Sequence, residues 1–384
     1  MRAALLITGL VATLGVVSCE VTAPKPLDLC GSWLIQRGDR WDTLSASITT
    51  DDLTPTVTLA KPSGTEVITV TSDELIAMSG TPALGCSPAS QVNASRTLRG
   101  TVAGIPSGRI FTLAAAGSTY TATSAGFDLQ VPEGGSDLFA YVAPPPPNPA
   151  ITFILPEKMI VRRGVSLPDG TQMPVFGFAS SEAFTLQSAS LTSDVRNGVI
   201  GETTQFFSGM TGLDMRRSNT LSTSLIGLPE AQLKEGDYHL LTVTAIGSVS
   251  TRLYYRKIRP TMIVIPAAAA SGIASVAETT PCTKTRVTVP VQTDYPSFIV
   301  VTVSWSAGTG ASGRLAMSLS KDAAAGNGFW SVEVPDLGST CLIPGGATYT
   351  VSALVGKGRL AVFRGVTGTD GEALATASSA IVRP

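Results

Sequence analysis

The chain has 384 residues, with 27 Lys and Arg against 28 Asp and Glu, one histidine and a formal charge of −1. Only 14% of the residues are charged, and no basic footprint of the kind nucleic-acid binding requires is present, so that class is excluded. One histidine and no C-x-x-C pair remove the usual zinc sites.

After Arg2 the run Ala3 to Val17 is apolar apart from Thr8, Gly9, Thr13 and Gly15. It falls short of the roughly 20 residues that a spanning helix needs and fits the charged and apolar regions of a secretory signal. The stretch Val16-Val17-Ser18-Cys19 that closes it resembles the bacterial lipobox. That resemblance implies cleavage after residue 18 and a diacylglycerol on the Cys19 thiol. The acyl chains would then hold the protein to a membrane at about 0.8 kcal/mol per buried CH₂. The alternative is an ordinary signal peptide cut nearby, with Cys19 an incidental thiol. Glu20, where an aspartate often marks inner-membrane retention, points to the outer membrane in a Gram-negative cell. The expected location is the cell envelope, outside the cytoplasm.

Assigning Cys19 to lipid leaves Cys30, Cys86, Cys282 and Cys341, an even number in an oxidising compartment. Three pairings are open to four cysteines. Local pairing, Cys30 with Cys86 and Cys282 with Cys341, is the economical one. Each such bridge closes a loop of about 60 residues, worth about 4 kcal/mol in the chain-entropy model. The alternative is free buried thiols.

Abundant Thr and Val with Gly and Pro punctuation favours short strands, so the fold class expected is all-β, with several consecutive β-sandwich-like domains. Residues 1–18 are the signal peptide and 19–29 a tether. Residues 30–90 form a first β domain, with hairpins at "GSWLIQRGDRWDTLSASI" and "PTVTLAKPSGTEVITVTS" and one helical turn at "SDELIAMSG". Residues 91–142 form a second unit, with five short alternating segments from Arg96 onward. Its end, "GFDLQVPEGGSDLFAYV", places Phe127, Leu129, Val131, Pro132, Gly134, Leu138 and Ala140 in a pattern similar to the close of a carboxypeptidase-regulatory-like (transthyretin-like) β-sandwich. That resemblance implies an accessory module and carries over no catalytic residue.

The prolines of "APPPPNPA" make 143–150 a spacer. Residues 151–266 form a third β-rich domain, with strands at "ITFILP", "KMIVRRGVSL", "MPVFGF", "FTLQSASLTS", "YHLLTVTAI", "TRLYYRKI" and "TMIVIP" and a brief helical turn at "PEAQLKEGD". Residues 267–281 read as an Ala-rich linker. Residues 282–384 form a C-terminal sandwich, with strands at "TRVTVPVQ", "FIVVTVSWSAG", "RLAMSLS", "FWSVEVPDL", "TYTVSALVG" and "RLAVFRGV".

Several short motifs invite chemistry and favour plainer readings. "GTGASG" (308–313) has dinucleotide-loop spacing, but alternating Leu315, Met317 and Leu319 predict a strand after it, where such a site needs a helix. "SLSK" (318–321) on that strand throws serine and lysine to opposite faces. Arg37-Gly38-Asp39 is a hairpin tip before it is an adhesion triplet. His239 alternates with Leu241 and Val243 and reads as a polar edge of the core, not as a triad member. Asp51-Asp52 and Asp73-Glu74 read as solvated loop acids ahead of a glycosidase pair. "PDG" (168–170) and "TDG" (369–371) read as turns, short of a calcium loop. Asn93-Ala94-Ser95 fits a glycosylation sequon, with no glycan as the bacterial default. Trp305, Trp330, Tyr254 and Tyr255 fill a core more readily than they form a sugar platform.

The expected function is a non-catalytic, envelope-anchored lipoprotein, a structural or interaction scaffold that presents β-sandwich modules. It meets the membrane through its lipid, has a protein or glycan partner and uses no cofactor, metal or nucleic acid. The alternative is a carbohydrate-binding protein or a divergent carboxylate-dependent hydrolase.

Overall fold

A computed structural model of the chain describes residues 34–37, 40–43, 56–61, 64–78, 94–123, 125–145, 155–209, 211–269, 273–278, 284–306, 312–321, 328–333 and 348–383. The signal and tether, all five cysteines and most of the Pro-rich spacer lie outside the described residues. The chain is all-β, and no described helix is long and apolar enough to cross a membrane.

The N-terminal segment contributes β1 (Leu34–Arg37), β2 (Arg40–Thr43), β3 (Thr56–Lys61), β4 (Gly64–Thr69) and the short helix α1 (Ser72–Met78). Two-residue connections close both hairpins, with Arg37 opposite Arg40 and Lys61 opposite Gly64. The next unit holds β5 (Ser95–Ala103), β6 (Ile110–Ala115), β7 (Ser118–Ala122), β8 (Gly126–Pro132) and β9 (Ser136–Ala143). Two further strands belong to it, β10 (Lys158–Val165) and the two-residue β11 (Phe176–Gly177). One sheet runs β10-β9-β6-β7 and the other β11-β5-β8. Period-2 alternation turns Leu98 and Val102 of β5 and Phe127, Leu129 and Val131 of β8 inward, against Phe111, Leu113, Leu138, Ala140 and Ile160. The strand ladders of this sandwich therefore continue past residue 142, because β10 pairs with β9 and β11 adds in parallel to β5.

The third segment has β12 (Gln187–Val195), β13 (Val199–Ser208), β14 (Thr211–Ser218), β15 (Ser224–Gly227), a 3₁₀ turn at Glu230–Gln232, β16 (Tyr238–Ala245), β17 (Val249–Tyr255) and β18 (Thr261–Ile265). The fourth has β19 (Ala274–Glu278), β20 (Lys284–Pro290), β21 (Phe298–Ser306), β22 (Ser312–Ser320), β23 (Phe329–Glu333), β24 (Thr348–Lys357), the short helix α2 (Leu360–Phe363) and β25 (Ala373–Arg383). A twelve-stranded sheet, β14-β13-β16-β17-β25-β24-β21-β22-β4-β3-β1-β2, joins the first, third and fourth segments. β17 pairs with β25 across the linker, and β4 pairs with β22 across most of the chain. The β4–β22 ladder is the one parallel ladder in that sheet among the described residues.

Sequence and structure part company at several elements. Residues 274–278 of the expected linker form β19, paired with β20. "RLAVFRGV" holds α2 where a strand is expected. Its Leu360, Ala361 and Val362 are consecutive and all buried, so the run has no alternation to make it a strand. Positive-φ Gly358 and Gly365 bracket it. "MPVFGF" supplies only β11. The residues of β13, β14, β15 and β25 carry no strand expectation, yet β13 and β14 are long. Their inward positions include Glu202 and Arg216, which mask the apolar alternation.

Two interfaces fix how the segments meet. Strand β9 is buried on both faces. Leu138, Ala140 and Val142 enter the sandwich core, whereas Phe139, Tyr141 and Ala143 enter a second core with Phe206, Leu213, Met215, Ile226 and Leu228 of the third segment. At the other end, Ile68 of β4, Val70 just after it, and Leu75 and Met78 of α1 pack with Tyr254, Phe298, Leu360 and Leu374.

Candidate functional site

Among the described residues, an extended polar cluster lies where the sandwich meets the third segment. β10 brings Arg163, β9 brings Asp137, the end of β13 brings Ser208, and the chain entering β16 brings Lys234 and Asp237. The Arg163 guanidinium donates to Asp137 Oδ2 (3.1 Å), Ser208 Oγ (3.0 Å), the Gln232 carbonyl (2.6 Å) and Asp237 Oδ2 (2.6 Å). It also lies 5.0 Å from the centre of the Phe139 ring. The Gly164 N–H and the Lys234 ammonium both donate to Asp137. Burial pushes the Asp137 carboxyl up, but Lys234, the Gly164 N–H and Arg163 outweigh it and hold it below the usual carboxylate range. A second pair, Glu202 with Arg216 at 2.7 Å, is buried in the third segment and shared with Ser222 and Ser224. Apart from Asp237 Oδ1, which is buried without a partner, the carboxylate oxygens of both clusters are spent on the protein itself, so the clusters join elements of the fold.

His239 is fully buried, which corrects its expected place at a polar edge. Its Nε2 accepts the Leu228 N–H at 2.9 Å, and its ring stacks on Tyr255 with centroids 5.0 Å apart. Gly227 makes room for it: a Cβ there would sit 2.7 Å from Nε2. Burial lowers the imidazole from 6.5 to about 4. An Nε2 lone pair committed to a backbone N–H in a closed core has no role as a general base.

The remaining sequence candidates disperse. Cys19, Cys30, Cys86, Cys282 and Cys341, with Asp51, Asp52 and Asn93, lie outside the described residues. Asp73 is exposed, while Glu74 accepts the Leu360 N–H at 3.3 Å and so helps seat α1 on α2. Trp330, Tyr254 and Tyr255 are buried and Trp305 packs over Gly313, so these four form no exposed row and a sugar platform built from them is ruled out. Ser318 is buried and Lys321 exposed. Of "GTGASG", residues 308–311 lie outside the described residues, while Ser312 and Gly313 begin β22, which runs antiparallel to β21 as a strand and not a helix. In "TDG", Asp370 accepts the backbone N–H groups of Arg256 and Lys257.

One concave surface faces solvent on the outer side of the sandwich. It is a groove of about 470 Å³ over β5 and β8, bordered by Tyr120 of β7 and by Gln172. Alternation sends Arg99 and Thr101 of β5 and Gly126 and Asp128 of β8 outward together. Arg99 Nε stands 3.4 Å from Asp128 Oδ1, with both side chains more than half exposed. The Tyr120 hydroxyl donates to the Gly126 carbonyl at 2.9 Å, which ties its ring to the rim. The "PDG" turn has a specific task here. Asp169 Oδ1 accepts the Thr97 N–H at 2.7 Å, and the Met173 N–H donates to the Arg99 carbonyl at 2.8 Å. Those bonds fasten the loop along β5 and set Gln172 opposite Arg99. Sequence reading missed the groove, although the outward half of the β5 and β8 alternation carried its signal.

No family model matches the chain. No curated protein matches it either. Among solved structures, the crystal structure of chicken CNTN1 FN1–FN3 domains is similar at 8% identity, over 74% of this chain and 99% of that one, with a TM-score of 0.17, a likeness that carries no argument.

Proposed function

We propose that this protein is a non-catalytic lipoprotein of the cell envelope, a scaffold whose β units are joined rigidly and presented from an acyl anchor at Cys19. One observation carries the scaffold reading. The buried charged side chains among the described residues, Arg96, Glu202, Arg216 and Asp237, join elements of the fold: Arg96 donates to the carbonyls of Gly134, Val165 and Leu167, Arg216 pairs with Glu202, and Asp237 pairs with the partly exposed Arg163. The histidine is sealed in a core. Buried groups of that kind serve catalysis when they face a cleft; of these only Asp237 borders a cavity, one of about 180 Å³ beside Tyr255 and Asp370, and its Oδ2 is committed to Arg163 and the Lys234 N–H. The double burial of β9 supports the same reading, because it fuses neighbouring units where a flexible multidomain chain would leave a linker.

The anchor rests on the lipobox resemblance alone. Mass spectrometry of the mature N-terminus tests it. Diacylated Cys19 as the first residue is the expected result, and an unmodified start at another residue would end the lipoprotein reading. A Cys19→Ser variant should leave the membrane fraction.

A further inference from the structure

We propose that the groove over β5 and β8 binds a neutral saccharide. The inference rests on the interaction-scaffold reading and names its partner. The groove's charge balance, hydrogen-bonding groups, aromatic rim and open floor select that ligand class.

The groove carries no net charge, since Arg99 and Asp128 balance each other across it. A strongly anionic or cationic ligand would meet one partner and be repelled by the other. The pair is also loose and solvated, at 3.4 Å with more than half of each side chain exposed, so little is lost when a ligand inserts its own hydrogen bonds. A sugar's adjacent hydroxyls each donate and accept, and a guanidinium beside a carboxylate offers the matching set of donors and acceptors. Gln172 and Thr101 add an amide and a hydroxyl at the same surface.

Tyr120 supplies an aromatic ring at the rim for the C–H face of a pyranose. Its hydroxyl is tied to Gly126 and its ring packs on Phe127 with centroids 6.4 Å apart, so it is held before any ligand arrives. The loop that carries Gln172 is likewise fastened to β5 by backbone bonds. Such preorganisation lowers the ordering cost of binding. Gly126 keeps the floor open: a Cβ there would meet nothing within 4 Å and would project toward the ligand from the outward face of β8. A volume of about 470 Å³ lies within the usual range of ligand sites. The groove is open along the sheet, which suits part of a chain better than an enclosed small molecule.

The test is isothermal titration of the soluble form lacking residues 1–19 with maltohexaose, cellohexaose, xylohexaose and chitohexaose, and with polygalacturonate as an anionic comparison. Saturable binding to at least one neutral oligosaccharide is expected. Gly126→Val, which fills the floor, and Asp128→Ala, which removes the exposed acceptor, should each weaken it about tenfold or more, while Lys257→Ala, remote from the groove, should not. Unchanged melting curves for the variants confirm that they are folded. The proposal is overturned if no neutral oligosaccharide binds, if polygalacturonate alone binds, or if both groove variants bind as the parent does. None of those results touches the anchor, which the mature N-terminus decides separately.

Discussion

Phe139 of β9 and Phe206 of β13 meet edge to face, with ring centroids 5.3 Å apart and planes at 63°. The contact is the centre of the core that lies between the sandwich and the third segment. Both rings are fully buried. Phe206 also touches the His239 ring, at 5.2 Å, so the same few side chains connect three strands.

Truncating either ring should therefore destabilise both units at once. Phe206→Ala is expected to cost about 3–5 kcal/mol, the usual range for a buried phenylalanine. Denaturant unfolding followed by two probes, one in each unit, should shift together. A variant in which one probe moves and the other stays would show that the shared core does not couple the units.

The Arg163 cluster makes an asymmetric prediction. Asp237 has a fully buried side chain, whereas Arg163 is partly exposed and has Asp137 as a second carboxylate. Arg163→Ala strands a buried charge and should cost about 3 kcal/mol or more. Asp237→Ala leaves an arginine that still has a partner and some water, and should cost less. Chemical denaturation of the two variants checks the order; equal or reversed costs would contradict it.

His239 sets an acid-side dependence of stability. The unfolded chain takes up its proton near 6.5 and the folded chain only near about 4. Between those values the unfolded state binds more protons, so stability falls as pH drops from about 6.5 to about 4, then stops falling on this account. The gap corresponds to about 3 kcal/mol. His239→Gln keeps an acceptor for the Leu228 N–H and should flatten that window. Below it, the lowered carboxyls of Asp137, Glu182, Asp370 and Glu372 lose stability in parent and variant alike as they protonate. Free energies of unfolding across pH 7 to 3 distinguish the two ranges.

Ile68 tests the long-range join. It is fully buried in a core made with Val70, α1 and residues of the third and fourth segments. Ile68→Ala should cost about 2–5 kcal/mol and loosen the region around Phe298 and Leu360. Hydrogen exchange of β22 and α2 is the readout, and unchanged protection there would show that β4 is dispensable to the C-terminal sheet.

Much of the strand content was legible because alternation is a local property. β5, β8, β16, β21 and β24 turn alternate residues inward over most of their length, and most of those inward residues are apolar. β13 and β14 were not legible, since the buried Glu202–Arg216 pair places charge where a hydrophobe is expected. α2 was misread because three consecutive buried residues have no period. The groove escaped notice because Arg99, Asp128 and Gln172 look like ordinary solvated residues until a turn and a parallel bridge set them side by side.

By itself the sequence determined the all-β class, the sites of the tight hairpins and the outward and inward halves of most strands. These follow from backbone and side-chain preferences within a few residues of each position. Tertiary structure alone decided which strands are neighbours. Nothing within β4 specifies β22 as its parallel partner, and nothing within β9 says that both of its faces are covered. An alternating strand fits many edges equally well, and the choice among them is made by contacts between residues far apart in the chain.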